Sequence, residues 1–203
     1  MSSLLIFGAG GHGRVVADAA LRAAKWSLVF ASDRDPVRCS GELLAGVALR
    51  PADAALAAAA AVHVAIGSAA SREREVAALP PGVLATVVHP QSSVSAHASV
   101  SPGCFVAAQA VVAPLAILGR SVILNHGAVV DHDASVGDFS HVAPLAALGG
   151  GVKVGRRVLI GSGARVLPGL RIADDVVVGA GAVVCTHLDE AGVYAGVPAR
   201  RLR

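Results

Sequence analysis

The sequence predicts two regions of different fold class, an α/β region followed by an all-β solenoid of parallel strands. An aliphatic residue occupies every sixth position from Val88 to Val184, and near the N-terminus a strand-like segment runs through a glycine-rich turn into a helix-like segment. The composition is 54% apolar but only 3% aromatic, which suits a narrow core of small and branched side chains. We expect the α/β region to span residues 1–87 and the solenoid residues 88–203.

The composition argues against several classes of protein. There is no apolar run of about 18 residues, so we expect no membrane insertion, and the N-terminus lacks the basic start and apolar core of a signal peptide. Cys39, Cys104 and Cys185 are widely spaced, which indicates reduced thiols in a cytoplasmic protein and shows no zinc pattern. The formal charge of only +3 and the scarcity of aromatic side chains argue against nucleic acid as a partner.

The N-terminal region begins with a strand and a turn of the phosphate-binding type. Residues 4–7 are apolar and predict a buried strand, and residues 8–13 (GAGGHG) match G-x-G-x-x-G and precede a helical pattern. Such a turn lets the backbone approach a phosphate and aims a helix N-terminus at it. A second strand ends before Asp33, where a Rossmann fold places its ribose-binding acid. We therefore predict a half-Rossmann domain that binds a nucleoside diphosphate.

The rest of this region supplies one further strand flanked by helices. A helical segment lies near 52–61, a strand at 62–66 ends at Gly67, a helix carries Arg72, and a last strand covers 83–88. Two other interpretations of the glycine-rich turn stay open. A nicotinamide dinucleotide would need a second mononucleotide half, which this region lacks, or the glycines form only a tight structural turn.

The six-residue period predicts the coils of the solenoid. A helix or a simple strand has a different period, whereas in a solenoid of short parallel strands each hexad supplies one flat side and one corner. Four residues after each aliphatic anchor the residue is usually small, as at Ala110 and Ala128. The residue directly after the anchor is often Gly, Asn or Asp, as at Gly119, and we expect it to adopt the positive φ of a tight corner. Three hexads form a coil, so residues 18 apart stack.

The order of these parts resembles one known family. GAGGHGRVVAD near the start, the hexads, and GVPARR near the end are similar to the nucleotide-sugar acetyltransferases that include the bacillosamine-pathway and perosamine N-acetyltransferases and the sialic acid O-acetyltransferases. The resemblance covers nearly the whole chain. It implies a triangular left-handed parallel β-helix, a homotrimer with acetyl-CoA bound between subunits, and an N-terminal domain for a UDP-, GDP- or dTDP-linked amino-sugar. It implies no metal.

The resemblance also assigns roles to individual residues. His132 and Asp133 match a catalytic His–acid pair, in which the family often has Glu as the acid. The implied substrate-binding residues are Gly10, Gly11, His12, Gly13, Asp33, Arg34, Gly67, Arg72 and Asn125. The implied acetyl-CoA-binding residues are His141, Gly150, Ser162 and Ala180, next to Leu145, where the family often has Gly.

The chemistry of these residues suits acetyl transfer. An ammonium group must lose a proton before it attacks a thioester, and a His with a pKa near 6.5 is suited to take it. Asp133 would orient the ring of His132. Gly150 should stack one coil above His132, leave room for the acetyl group, and offer its N–H to the oxyanion. We therefore expect direct N-acetylation of the 4-amino group of a nucleotide-linked amino-dideoxy sugar.

Three alternatives remain open. The acceptor could be a hydroxyl group, as in sialic acid or another sugar. A zinc enzyme of the β-helical carbonic anhydrase type would need a His-x4-His pair, whereas His126 and His132 are six residues apart and His141 follows nine residues later. A non-catalytic binding protein on the same scaffold would not need a His–acid pair stacked against a glycine. His126 lies on a different side of the predicted prism from His132 and is given no catalytic role.

Overall fold

A computed structural model describes residues 2–202, which form two compact units, one ending at Pro90 and the other beginning at Gln91. The first unit contains β1 (Ser3–Phe7), α1 (Gly11–Ala23), β2 (Leu28–Ser32), a short 3-10 helix (Pro36–Arg38), β3 (Glu42–Leu44), β4 (Val47–Ala48), α2 (Ala52–Ala58), β5 (Ala61–Val64), α3 (Ala69–Ala77) and β6 (Val87–Val88). Within the described chain, no helix is long and apolar enough to span a bilayer.

The first unit is an α/β fold with β1 at the centre of a parallel sheet. The strand order is β2-β1-β5, and both neighbours pair with β1 in parallel. This arrangement confirms the predicted strand–turn–helix–strand half of a Rossmann fold. The predicted helix at 52–61 ends earlier, at Ala58, and the last predicted strand is confined to Val87–Val88.

The core of the first unit explains why these segments adopt their conformations. Phe7 and Phe30 lie fully inside with the aliphatic residues of β1 and β5, and burying each such side chain contributes roughly 1.5–3 kcal/mol. His63 on β5 is also buried, and its Nδ1 lies 2.9 Å from the carbonyl oxygen of Ala85. Burial, reinforced by the charge of Arg72, lowers the pKa of His63 to about 4.

The second unit is a parallel β-helix. Its strands are β7 (Ser93–Val94), β8 (Ser99–Val100), β9 (Phe105–Val106), β10 (Val111–Val112), β11 (Ile117–Leu118), β12 (Ile123–Leu124), β13 (Val129–Val130), β14 (Ser135–Val136), β15 (His141–Val142), β16 (Ala147–Leu148), β17 (Lys153–Val154), β18 (Leu159–Ile160), β19 (Arg165–Val166), β20 (Arg171–Ile172), β21 (Val176–Val178), β22 (Val183–Val184), β23 (Gly192–Ala195) and β24 (Arg200–Arg201). Residues 18 apart pair in parallel, as Val111 with Val129, which confirms the predicted coil length.

These strands form the three faces of a triangular prism. The first face is β7-β10-β13-β16-β19-β22, the second is β8-β11-β14-β17-β20, and the third runs from β9 through β12, β15, β18 and β21 to β23, with β24 added antiparallel. We name the edges after one residue each: the His132 edge joins the first and second faces, the Asp138 edge joins the second and third, and the His126 edge joins the third and first.

The aliphatic anchors form the core of this prism. From Val106 to Val184 every anchor is at most 5% exposed, because the second residue of each strand faces inward. The small residues four positions after the anchors, such as Ala110 and Ala128, are also fully buried, where the chain bends toward the next face. The hexad pattern therefore corresponds directly to the interior of the prism.

The sequence-based prediction of the corner conformation was wrong in its position. From Val100 to Val178, positive φ occurs at the third residue after each anchor, as at Gln109, Gly127 and Asp133, and not at the first. The glycines directly after the anchors have a different reason. A Cβ at Gly137 would lie 2.6 Å from the backbone of Gly155, so glycine is needed there because successive coils approach closely.

Candidate active site

His132 lies on the edge between the first and second faces and is held by its neighbour. Its Nδ1 is 2.8 Å from Oδ2 of Asp133. Because a carboxylate only accepts hydrogen bonds, Nδ1 carries the hydrogen, and in the neutral ring Nε2 keeps a lone pair. A Cβ at Gly150 would lie 2.6 Å from Nε2. The structure thus brings together His132, Asp133 and Gly150, with the basic nitrogen against the glycine.

Two carboxylates control the charge of this imidazole. The pKa of His132 is raised, first by the hydrogen bond to Asp133 and then by the negative charge of Asp131. Oδ1 of Asp131 also accepts a hydrogen bond from the backbone N–H of His132 at 2.7 Å, which fixes the corner. Sequence reasoning assigned Asp131 no role, although a second acid beside the His132–Asp133 pair was visible in the sequence.

A second polar cluster lies along the His126 edge. Nδ2 of Asn125 is 3.1 Å from Nε2 of His141, and Oδ1 of Asn125 accepts the backbone N–H of His126 at 2.9 Å. Backbone hydrogen bonds that link each coil to the next stack His126, Pro144, Ser162 and Ala180 in one column. The predicted acetyl-CoA residues Ser162 and Ala180 therefore rise above His126, beside the face that carries His141.

The two clusters lie on different sides of the prism. The His132 edge is opposite the third face, where His141 projects from β15. The four predicted acetyl-CoA residues are divided accordingly: Gly150 belongs with His132, whereas His141, Ser162 and Ala180 belong with the His126 edge. A single chain does not bring them together.

The first unit contains a separate cavity of about 390 Å³ at the glycine-rich turn. Its lining includes Gly10, Gly11, His12, Asp33, Arg34 and Gly67 among the predicted residues. A Cβ at Gly10 or Gly11 would meet no atom within 4 Å, so the backbone is open on this side. The N-terminus of α1 has no side-chain cap and no acid in its first turn, as an anion site requires.

Two of the predicted substrate residues support this cavity from behind. Gly13 is buried, and a Cβ there would lie 1.9 Å from the carbonyl oxygen of Gly8, so this glycine serves the packing of α1 on β1. Arg72 is 1% exposed, and its Nη1 donates to the carbonyl oxygens of Ile66 and Gly67. Arg72 therefore holds the turn after β5 and does not line the cavity, contrary to the direct contact that we expected.

The charged wall of the cavity was only partly predicted. Oδ2 of Asp33 accepts the N–H of Ala9 at 2.7 Å, which ties the glycine-rich turn to the end of β2. Arg34 donates to Oε2 of the buried Glu75 at 2.7 Å. Sequence reasoning missed Arg38, Ser71, Arg74 and Glu75, which also line the cavity. The helical spacing of residues 71, 74 and 75 could have indicated this, because it places them on one face of α3 and Arg72 on another.

A zinc enzyme would need a cluster of metal-binding side chains. Among residues 2–202, no three or more His, Cys, Asp or Glu side chains form a group that could hold a metal ion. The three cysteines are free thiols, with Cys104 buried and Cys185 exposed.

Comparison with known proteins gives the same division of the chain. The family described as PglD N-terminal domain matches residues 3–79, and the bacterial transferase hexapeptide (six repeats) matches residues 151–186. The acetyltransferase domain of PglB from Neisseria gonorrhoeae is 31% identical, with a TM-score of 0.91 over 100% of both chains. A mutant of perosamine N-acetyltransferase from Caulobacter crescentus is 34% identical, with a TM-score of 0.91 over 100% of this chain and 98% of that one.

The chain belongs to the hexapeptide-repeat nucleotide-sugar acetyltransferases. It is therefore an acetyltransferase, as the sequence predicted. WeeI from Acinetobacter baumannii shares the fold, at 22% identity and a TM-score of 0.67 over the whole of both chains. The structural match at a TM-score of 0.91 confirms the hexapeptide-repeat parallel β-helix that the sequence predicted.

Proposed function

We propose that this acetyltransferase transfers the acetyl group of acetyl-CoA to the 4-amino group of a nucleotide-linked amino-dideoxy sugar, with His132 as the general base. The observation that carries the proposal is the imidazole of His132, which Asp133 holds by Nδ1 at 2.8 Å while Nε2 faces Gly150. Two relatives support the substrates: the Caulobacter enzyme was solved with CoA and GDP-perosamine, and the Neisseria domain with acetyl coenzyme A.

The proposed reaction is a direct transfer without an acetyl-enzyme. Nε2 of His132 takes a proton from the amine as the new N–C bond forms. As the C–S bond breaks, the same proton passes from Nε2 to the departing CoA sulfur, which restores the neutral base. We assign the stabilisation of the oxyanion to the N–H of Gly150. Cys185 stands in the column of Asp131 but three coils higher, about 14 Å along the axis, which is too far to carry the acetyl group.

The nucleotide is assigned to the cavity of the first unit. The open backbone at Gly10 and Gly11 and the uncapped N-terminus of α1 suit a diphosphate. Arg34 and Arg74 add positive charge to the same wall, and both are within 4 Å of the carboxylate of Glu75. His12 and Asp33 are then placed near the sugar-phosphate and the nucleoside.

The division of the acetyl-CoA residues supports a homotrimer. If the His132 edge of one copy packs beside the His126 edge of the next, His132 and Gly150 meet His141, Ser162 and Ala180. Such a head-to-tail contact uses two different surfaces and closes into a ring. We infer that each of three sites combines residues from two subunits.

The reaction is tested by following thiol release from acetyl-CoA with GDP-, UDP- and dTDP-linked 4-amino sugars, and with sialic acid as a hydroxyl acceptor. An N-acetyl product resists mild base, whereas an O-acetyl ester is cleaved by it. His132→Ala should lower kcat by about 10²–10⁴-fold and change both KM values little. Near-normal kcat in this variant across pH 6–9, or an acetyl group that stays on the protein without acceptor, would overturn the mechanism.

The shared site is tested by mixing two impaired variants and measuring activity at acetyl-CoA concentrations well below KM, where the loss of the His141 contact lowers the rate. In a trimer that contains both His132→Ala and His141→Ala subunits, one of three sites combines an intact His132 with an intact His141. Co-expression in equal amounts should therefore restore about a quarter of wild-type activity, because about three quarters of the trimers are mixed. An activity no greater than half that of His141→Ala under the same conditions would show that His132 and His141 do not act across subunits.

A further inference from the structure

The orientation of the Asn125 side chain is fixed by a neighbouring backbone group. The N–H of His126 donates to Oδ1 of Asn125 at 2.9 Å. A backbone N–H only donates hydrogen bonds, so the amide oxygen must be on this side and the NH₂ group on the other. The NH₂ group is therefore the group that contacts His141.

This orientation determines which nitrogen of His141 carries the hydrogen. Nδ2 of Asn125 lies 3.1 Å from Nε2 of His141. An amide NH₂ only donates, so Nε2 must accept with its lone pair. The neutral ring of His141 then has its hydrogen on Nδ1.

His132 and His141 have the same tautomer but opposite chemical capacity. Asp133 binds Nδ1 of His132, which leaves the Nε2 lone pair on the side of Gly150, where a proton can be taken. Asn125 instead occupies the Nε2 lone pair of His141, so the other ring nitrogen, Nδ1, can only donate a hydrogen bond. The half-buried His141 projects from β15 on the outer side of the third face.

We propose that Asn125 is a positioning residue that holds His141 in the Nδ1–H tautomer, so that His141 donates a hydrogen bond to an oxygen of bound acetyl-CoA and does not act as a second base. The statement that acetyl-CoA accepts this hydrogen bond rests on the proposed function, whereas the tautomer of His141 does not. In this proposal Asn125, which the resemblance placed among the substrate-binding residues, acts on the acetyl-CoA side of the site.

The tautomer is measured directly by 15N NMR of the full-length protein labelled at its 8 histidines, without substrates. The resonances of His141 are assigned with the His141→Gln variant. We expect a protonated Nδ1 and an unprotonated Nε2 in the wild type. In Asn125→Asp the carboxylate still accepts the N–H of His126 but can only accept from His141, so the hydrogen should move to Nε2. A wild-type spectrum with hydrogen on Nε2 would overturn the proposal even if the enzyme acetylates amino-sugars.

Kinetics of the same variants separate this role from a purely structural one. Asn125→Asp should raise the KM for acetyl-CoA by about 3- to 10-fold, the worth of one hydrogen bond, with an unchanged melting temperature and an unchanged KM for the amino-sugar. Asn125→Ala loses the cap of the His126 N–H as well and should also lower the melting temperature. The control is Asp174→Asn, which still accepts the N–H of Arg156 in the neighbouring coil and should alter neither value. Equal effects of Asn125→Asp and Asn125→Ala on stability, with no change in the KM for acetyl-CoA, would show that Asn125 only shapes the corner.

Discussion

Replacing Gly150 with Ala tests the placement of the proposed base without removing any catalytic atom. A Cβ at Gly150 would lie 2.6 Å from Nε2 and Cε1 of His132, whereas ordinary contact begins at 3.4 Å. The imidazole must therefore retreat by about 0.8 Å (3.4 − 2.6), and its side chain is 63% exposed, so it has room to do so. Because a misplacement of about 1 Å can lower a rate by roughly 10²-fold, we expect kcat to fall by about 10- to 100-fold.

The assay combines acetyl-CoA thiol release with thermal unfolding, and Gly169→Ala is its control. Gly169 is on the same edge with φ +72, and a Cβ there would meet no atom within 4 Å. Ala in this left-handed conformation costs about 1–2 kcal/mol, so Gly169→Ala should lower the melting temperature and keep kcat. Gly150→Ala should instead lower kcat and keep the melting temperature. A normal kcat in Gly150→Ala would show that catalysis does not depend on His132 in the position that the structure gives it.

Three further predictions concern the nucleotide cavity, the charge of the base and the core. Gly10→Val should raise the KM for the nucleotide-sugar and not for acetyl-CoA, because a Cβ at Gly10 meets no protein atom within 4 Å; an equal loss for both substrates would mean that the turn is only structural. Asp131→Asn keeps the acceptor for the His132 N–H but removes the charge that raises the pKa of His132, so the ascending limb of kcat/KM should move to lower pH; an unmoved limb would exclude this effect. His63 is neutral in the folded protein and has a pKa of about 4, below its unfolded value near 6.5. The free energy of unfolding should therefore fall by up to about 3 kcal/mol as the pH decreases from 6.5 to 4. Denaturant titrations that give the same pH dependence for wild type and His63→Gln would contradict this prediction.

The solenoid was predictable because each hexad repeats the same local physical requirements. A buried aliphatic anchor and a buried small residue recur in every hexad, and the period alone gives the stacking of His132 with Gly150. The reason for the other glycines was not predictable. Both a positive φ and a close approach between coils favour glycine, and only the contact of Gly137 with the backbone of Gly155 tells which requirement applies.

The phase of a short helix limited the prediction of the nucleotide cavity. Arg72 and Arg74 are alike in charge and nearly adjacent, but the structure buries the first behind the turn and places the second on the cavity wall. Glu75 was missed because a buried acid has no signature in sequence until its partner is known. Its partner, Arg34, lies 41 residues away in the chain.

The sequence by itself determined the two regions, the parallel β-helix, the glycine-rich turn and the pairing of His132 with Asp133, because all of these follow from near neighbours or from a fixed period. Only the tertiary structure decided that Arg72 lies behind the turn and that Asn125 contacts His141. Both depend on the rotamer of a polar side chain and on the hydrogen that it donates, and the six-residue period carries no information on either.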